Sequence, residues 1–248
     1  MSCQVSTSSL LSAWERGLPQ SPTRRALTLL AATYPGFGED ELFNLSIGER
    51  DGLLMDLREA LFGSSMTCLA QCTQCAEQLE MAIDLADIRI KPTAKPVVPL
   101  TLELPDYRLD FRLPTSQDLL LIESQTDLAA ARQLLLERCL LMIQRDDQMQ
   151  ALNDLPDEIL NQVEAAMSDA DSQADVQLAL TCPACRNHWL SAFDIASFLW
   201  CEINAWAGRI INEVHLLAKA YGWRESDILA LTPTRRRFYL TLISGAGV

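Results

Sequence analysis

Two short cysteine pairs, Cys72-Thr-Gln-Cys75 and Cys182-Pro-Ala-Cys185, stand 110 residues apart in a chain of 248. Each pair can present two thiolates to one cation, and a tetrahedral Zn²⁺ site takes four such ligands. The spacing therefore predicts a zinc ribbon with Cys72, Cys75, Cys182 and Cys185 as ligands, pinning the middle of the chain to its C-terminal region. Four thiolates leave no open coordination position, so the expected ion is structural and not catalytic. Cys68 is the competing ligand, whereas Cys3, Cys139 and Cys201 read as terminal or core residues. One feature departs from the pattern. Knuckles of this kind favour glycine after the second cysteine, to reach positive φ, and here Ala76 and Arg186 occupy those positions.

The surroundings of the pairs repeat as well. At a shift of 110, Leu79 falls on Trp189, Ala82 on Ala192, Ile83 on Phe193, Asp84 on Asp194, Leu85 on Ile195 and Ala86 on Ala196. The unit implied is strand, knuckle, strand, then an aspartate able to cap a helical turn. Two such units facing each other across one ion make a four-cysteine ribbon.

Other chemistry is sparse. The two histidines read as a surface group on the second hairpin (His188) and an interhelix contact (His215). No Ser-His-Asp or Cys-His arrangement and no glycine-rich phosphate loop emerges, so the expectation is a non-enzymatic protein without a small-molecule substrate. Arg235-Arg236-Arg237 is the sole basic cluster, and four of the five tryptophans lie in the last sixty residues. Trp223, Arg235, Arg236, Arg237, Phe238 and Tyr239 are thus the candidate partner-binding residues. The plainer alternative is an arginine run packed against carboxylates of the same chain.

Composition narrows the class. The net charge is −13, with 13 Lys/Arg against 28 Asp/Glu in residues 1–185 and 7 against 5 in residues 186–248. This balance argues against nucleic acid as the main partner, since phosphate binding needs a basic surface. No uncharged run reaches the roughly 18–20 residues of a membrane span, and the N-terminus lacks a basic flank followed by an apolar stretch. A cytoplasmic, reducing location is expected, where eight cysteines point to metal more than to disulfides.

The elements that must position the cysteines read as follows. Short helices precede Gly17 and follow Ser21-Pro22. A helix from Ser46 to Phe62 is opened by a Ser46/Glu49 capping box and ended by Gly63. Leu79, Met81 and Ile83 alternate as in a strand, and prolines at 92, 96 and 99 break the chain. Leu100–Leu104 and Tyr107–Leu113 form a hairpin. Helical spacing resumes from Ser116 to Met142 with a break near Ser124–Thr126, and Gln144–Asp154 reads as an exposed connection. A helix follows Pro156, then a polar turn at 169–175, then Val176, Leu178 and Leu180 alternate into the second pair. Ile195 to Tyr221 carries apolar residues every three or four positions, a helix of about 40 Å at ~1.5 Å per residue. The fold class expected is α+β, predominantly helical, with short hairpins at the cysteines and a long C-terminal helix. Four stretches make one integrated domain: 1–64 helical, 65–115 first knuckle and hairpins, 116–170 middle helices, and 171–248 second knuckle and C-terminal helices.

Phe193-Asp-Ile-Ala-Ser-Phe-Leu-Trp-Cys-Glu-Ile, Glu213-Val-His-Leu-Leu-Ala-Lys-Ala-Tyr-Gly-Trp and Asp227-Ile-Leu-Ala-Leu-Thr-Pro-Thr-Arg-Arg-Arg-Phe-Tyr-Leu carry a resemblance. With both cysteine pairs and Ser46-Ile-Gly-Glu-Arg-Asp, the chain resembles the baseplate hub assembly chaperones of T-even-type contractile phage tails. The form it resembles is the cysteine-paired one of phage-tail-like injection loci. The resemblance implies a protein that helps a hub or spike complex assemble and carries no catalytic residues. Two rival roles stay open: a permanent structural baseplate subunit, and a zinc-ribbon nucleic-acid binder using Arg235 to Arg237.

Overall fold

The computed structural model describes residues 6–90, 99–146 and 148–245. Cys3, Pro92, Pro96 and the final residues 246–248 lie outside them. In chain order the elements are α1 (Thr7–Gly17), α2 (Pro22–Thr33), α3 (Glu39–Phe43), α4 (Ile47–Phe62), β1 (Ser65–Gln71), β2 (Gln78–Asp84) and α5 (Leu85–Ile88). Next come β3 (Leu100–Glu103), β4 (Tyr107–Phe111), α6 (Ser116–Ile122), α7 (Leu128–Cys139), β5 (Leu140–Arg145) and β6 (Gln148–Met149). α8 (Asp157–Ala170), β7 (Gln177–Thr181), β8 (His188–Ala192), α9 (Ile195–Tyr221), α10 (Glu225–Leu229) and α11 (Pro233–Ile243) complete the chain. This is a predominantly helical α+β fold with short antiparallel hairpins and a long C-terminal helix. Among the described residues no helix is long and apolar enough to cross a membrane.

The chain divides into two compact units, residues 1–36 with 196–248, and residues 37–195. In the first, α1 and α2 accompany the three C-terminal helices. Leu11, Ala207 and Ile210 are buried together, with Trp14, Trp206, Val214 and Leu229 packed on them. The Trp14 indole N–H donates to Asn204 Oδ1 at 3.0 Å. Gly17 lets the Trp200 ring approach α1, because a Cβ there would fall 2.5 Å from the ring. The Arg25 guanidinium lies over that indole, 4.7 Å from its centroid, and donates to the Gly17 and Leu18 carbonyls at the α1 terminus. Ser21 opens α2 through its extended backbone, but its buried hydroxyl makes no capping bond.

In the second unit the capping box at α4 forms as the sequence predicts, with Ser46 Oγ accepting from Glu49 N–H and the Glu49 carboxylate accepting from Ser46 N–H. Gly63 ends that helix at φ 87°. The four-stranded sheet runs β3-β4-β5-β6, and its Leu109, Phe111 and Ile143 share a buried cluster with Cys139 of α7 and with Val163 and Met167 of α8. Here the structure corrects the sequence reading. Leu140–Arg145 is a strand, not the end of a helix, and Gln148–Met149 pairs with it inside the expected connection. Pairing with β4 overrides a local pattern that suits a helix equally well, as tertiary context often does.

Asp118 fastens this unit. Its fully buried carboxylate accepts from Arg112 at 2.6 and 2.9 Å, from Arg138 Nε at 2.6 Å, and from both Thr115 N–H and Thr115 hydroxyl at 2.9 Å. One carboxylate thereby ties the end of β4, the start of α6 and the last turn of α7. Burial opposes its charge, but these donors prevail and hold its pKa well below the usual carboxylate range. Asp51 on α4 is the opposite case. Burial pushes its pKa up to about 6, Arg50 opposes the rise, and Asp194 and Asp171 add to it.

Asp118→Asn is expected to lower unfolding free energy by about 2–4 kcal/mol, slightly less than a fully buried pair because both arginines reach solvent; equilibrium urea unfolding checks this. The Asp118 contribution is present above about pH 4 and is lost as pH falls below it. Asp51 carries the reverse sign: its contribution is complete below about pH 4 and is lost as pH rises through about 6. The stability difference between wild type and Asp51→Asn should therefore shift by about 2–3 kcal/mol between pH 4 and 7, in favour of the variant at the higher pH. Urea midpoints at several pH values measure it, and proton uptake common to both proteins cancels.

Candidate metal centre

Both cysteine pairs sit at the tips of two-stranded hairpins in the second unit. β1 pairs with β2 and β7 with β8, each antiparallel. The backbone closes each tip in the same way. Cys72 N–H donates to Glu77 O and Ala76 N–H to Cys72 O, just as Cys182 N–H donates to Asn187 O and Arg186 N–H to Cys182 O. The 110-residue repeat is thus a repeat of hydrogen bonds. Its last member holds too in the first copy, where Asp84 caps α5 by accepting from Ala86 N–H at 2.9 Å. Ala76 and Arg186 adopt φ 60° and 62°, the conformation that glycine would reach without strain.

The two tips meet. Cys72 Sγ lies 3.6 Å from Cys185 Sγ, Cys75 Sγ lies 3.6 Å from Cys182 Sγ, and all four sulfurs fall within 4.8 Å of one another. A tetrahedron with Zn–S bonds of about 2.3 Å has edges of roughly 3.8 Å, so the sulfurs are spaced for one such ion. Asn187 Nδ2 donates to Thr73 Oγ1 at 3.1 Å beside the cluster, a direct bond between the knuckles.

Electrostatics support the same assignment. The Cys72 thiol is lowered to about 6, first by the Cys75 backbone N–H and also by that of Gln74. For Cys75 the Glu77 N–H favours the thiolate, yet Cys185, burial, Cys182 and Cys72 together push it up to about 12. Cys185 is raised as well, the Asn187 N–H notwithstanding. One thiolate is easy here and the next is opposed by the first, which a divalent cation would reverse. The donor set fits Zn²⁺ through Cys72, Cys75, Cys182 and Cys185, and both hairpins it would join belong to one unit.

The competing groups stand elsewhere. Cys68 and Cys139 are buried and Cys201 is exposed, and none joins the cluster. His188 is exposed with Nδ1 2.9 Å from Thr181 Oγ1, and His215 is exposed on α9, not enclosed between helices.

In the first unit Trp223 stacks on Tyr221 at 4.7 Å and meets Tyr239 edge-on at 4.9 Å. Tyr221 is the member of this trio absent from the sequence-derived set; its place beside Trp223 comes from Gly222, at φ 66°, which turns the chain back. Arg236 is only 2 % exposed, donating to Glu213 Oε2 at 3.1 Å and to Leu231 O at 3.0 Å. Arg235 and Arg237 are exposed, as is Phe238. The triple-arginine run therefore offers two arginines to solvent, with the middle one built into the α9–α11 packing.

Relief of the left-handed conformation at φ 60° and 62° should exceed the entropy cost of glycine, so Ala76→Gly and Arg186→Gly should each stabilise the protein by about 0.5–1 kcal/mol. Thermal unfolding of the metal-loaded variants checks it, and a lower midpoint for both would refute the strain.

No curated protein matches the chain, and no solved structure does. The model of the T4 bacteriophage base plate protein family matches residues 19–200, a span that starts before α2 and includes both cysteine pairs. The chain belongs to the T4 bacteriophage base plate protein family.

Proposed function

We propose that the protein is a non-enzymatic assembly chaperone or adaptor for the baseplate hub of a contractile phage tail or phage-tail-like injection system. Its partners are hub or spike proteins, and it acts in the cytoplasm of the bacterial host. The observation that carries this reading is the family match over most of the chain, joined to a closed all-sulfur cluster with no position for a substrate. Zn²⁺ is the structural ion, and its task is to hold the two hairpins in register. A holder of this kind delays premature association of hub subunits by mass action until the proper partner displaces it. Permanent residence as a structural baseplate subunit is the second reading, because the family match favours it equally.

Four measurements test these readings. Purification under reducing conditions should give close to one zinc per chain, and Cys72→Ser with Cys182→Ser should abolish zinc binding and lower the thermal midpoint. Co-purification with the products of neighbouring genes should recover hub or spike subunits. Purified mature particles should contain little of the chain if it is a chaperone, and a stoichiometric amount if it is a structural subunit. Salt-sensitive DNA or RNA binding that is lost on neutralising Arg235 and Arg237, without recovery of baseplate proteins, would replace both readings with a nucleic-acid role.

A further inference from the structure

The two cysteine-bearing hairpins meet at their tips but are not paired along their length, since β1-β2 and β7-β8 are separate sheets. Away from the cysteines Gln173 joins their bases, accepting from Ile90 N–H at 2.7 Å and donating to Ile88 O. Between these two fastenings lies a cleft of 460 Å³, lined along one wall by Met81, Ala82 and Ile83 and along the other by every residue from 175 to 180. A strand that turned one face to a cavity would contribute alternate residues; consecutive residues mean that β2 and β7 present their edges.

Among the described residues those edges pair with no further strand. The bonds Leu85 N–H to Ser64 O and Cys72 N–H to Glu77 O fix which pairs of the first hairpin are hydrogen-bonded, and Thr67↔Ala82 is not one of them. By the same alternation, Phe193 N–H to Val176 O and Cys182 N–H to Asn187 O leave Gln177 and Ala179 facing outward. The backbone N–H and C=O of Ala82 and Ala179 therefore point away from their own hairpins, and both residues are exposed. Partly buried Met81, Ile83, Leu178 and Leu180 make the apolar lining, while Asp87 and Asp175 lie at the cleft with no ion pair among the described residues.

We infer that this cleft receives an extended strand of a partner protein, apolar at alternate positions and bearing a lysine or arginine next to Asp87 and Asp175. Unpaired edges supply main-chain hydrogen bonds, the apolar lining takes alternate side chains, and the two carboxylates select a cationic neighbour. The identity of that partner as a baseplate protein rests on the function proposed above; the chemistry of the cleft does not. Capping an exposed strand edge of a subunit awaiting assembly would be the molecular form of the chaperone activity.

The test uses the full-length, zinc-loaded chain and a fluorescein-labelled peptide of alternating valine and threonine flanked by lysines. Saturable binding is expected, weakened about tenfold or more when alternate peptide amides are N-methylated, which blocks strand pairing. Asp87→Lys with Asp175→Lys should weaken it about tenfold or more, and should leave zinc content and thermal midpoint unchanged. Amide exchange at Ala82 and Ala179, followed by NMR, should slow about tenfold or more at saturation. Equal affinity for the N-methylated peptide, binding without protection at those two amides, or no binding up to about 1 mM would each overturn the inference. Peptide binding by a wild-type chain that captures no baseplate protein would overturn the assembly reading and leave the cleft standing. Undiminished capture of hub proteins by the charge-reversed variant, with peptide binding lost, would overturn the cleft as the recognition site and leave the assembly reading standing.

Discussion

Four cysteine sulfurs within 4.8 Å of one another cannot all be thiolates unless positive charge stands among them. Much of the second unit depends on that constraint. The hairpins that bear the sulfurs are only two strands wide, and an isolated two-stranded hairpin is marginal in water. Among the described residues neither is extended by a neighbouring strand. What fixes the two together is the cluster at their tips, with the Asn187–Thr73 bond beside it, and the Gln173 contacts at their bases. A cleft with unpaired edges survives between them because the hairpins are joined at the two ends and not along the sides.

The rest of that unit is held by a different device. Asp118 gathers Arg112, Arg138 and Thr115 around one buried carboxylate, so β4, α6 and α7 share an anchor that needs no metal. The charge is stabilised because donors from Arg112, Arg138 and Thr115 converge on it, whereas Asp51, buried near Asp171 and Asp194 with Arg50 in support, is destabilised as an anion. Two buried aspartates in one unit thus carry opposite signs of pH linkage: at Asp118 the donors outweigh burial, and at Asp51 burial with the neighbouring Asp194 and Asp171 outweighs Arg50.

Membership of the baseplate family and the placement of Arg236 bear on the competing roles together. With Arg236 packed between α9 and α11 against Glu213, the run that reads in sequence as three consecutive cations presents two. The arginine run therefore offers less charge to a phosphate backbone than its three residues suggest, in a chain of net charge −13. The aromatic trio Tyr221, Trp223 and Tyr239 packs its rings on one another, while Tyr221 and the neighbouring Phe238 remain exposed.

Much was legible in the sequence where a short-range pattern has a single physical reading. The Ser46/Glu49 capping box, the glycine end of α4, the long apolar seam of α9 and the hairpin about Pro105-Asp106 are local, and each formed where its residues stand. The cysteine pairs were legible for the same reason, and the repeat around them told which pairs would face each other. Tertiary structure alone decided three things. Leu140–Arg145 became a strand because β4 was there to pair with it. Asp118 became an anchor because two arginines, one six residues before it and one twenty after, converge on it, and no local spacing announces such a meeting. The cleft arose from the distance between two hairpins that are remote in sequence, and a gap between elements leaves no mark on the residues that line it.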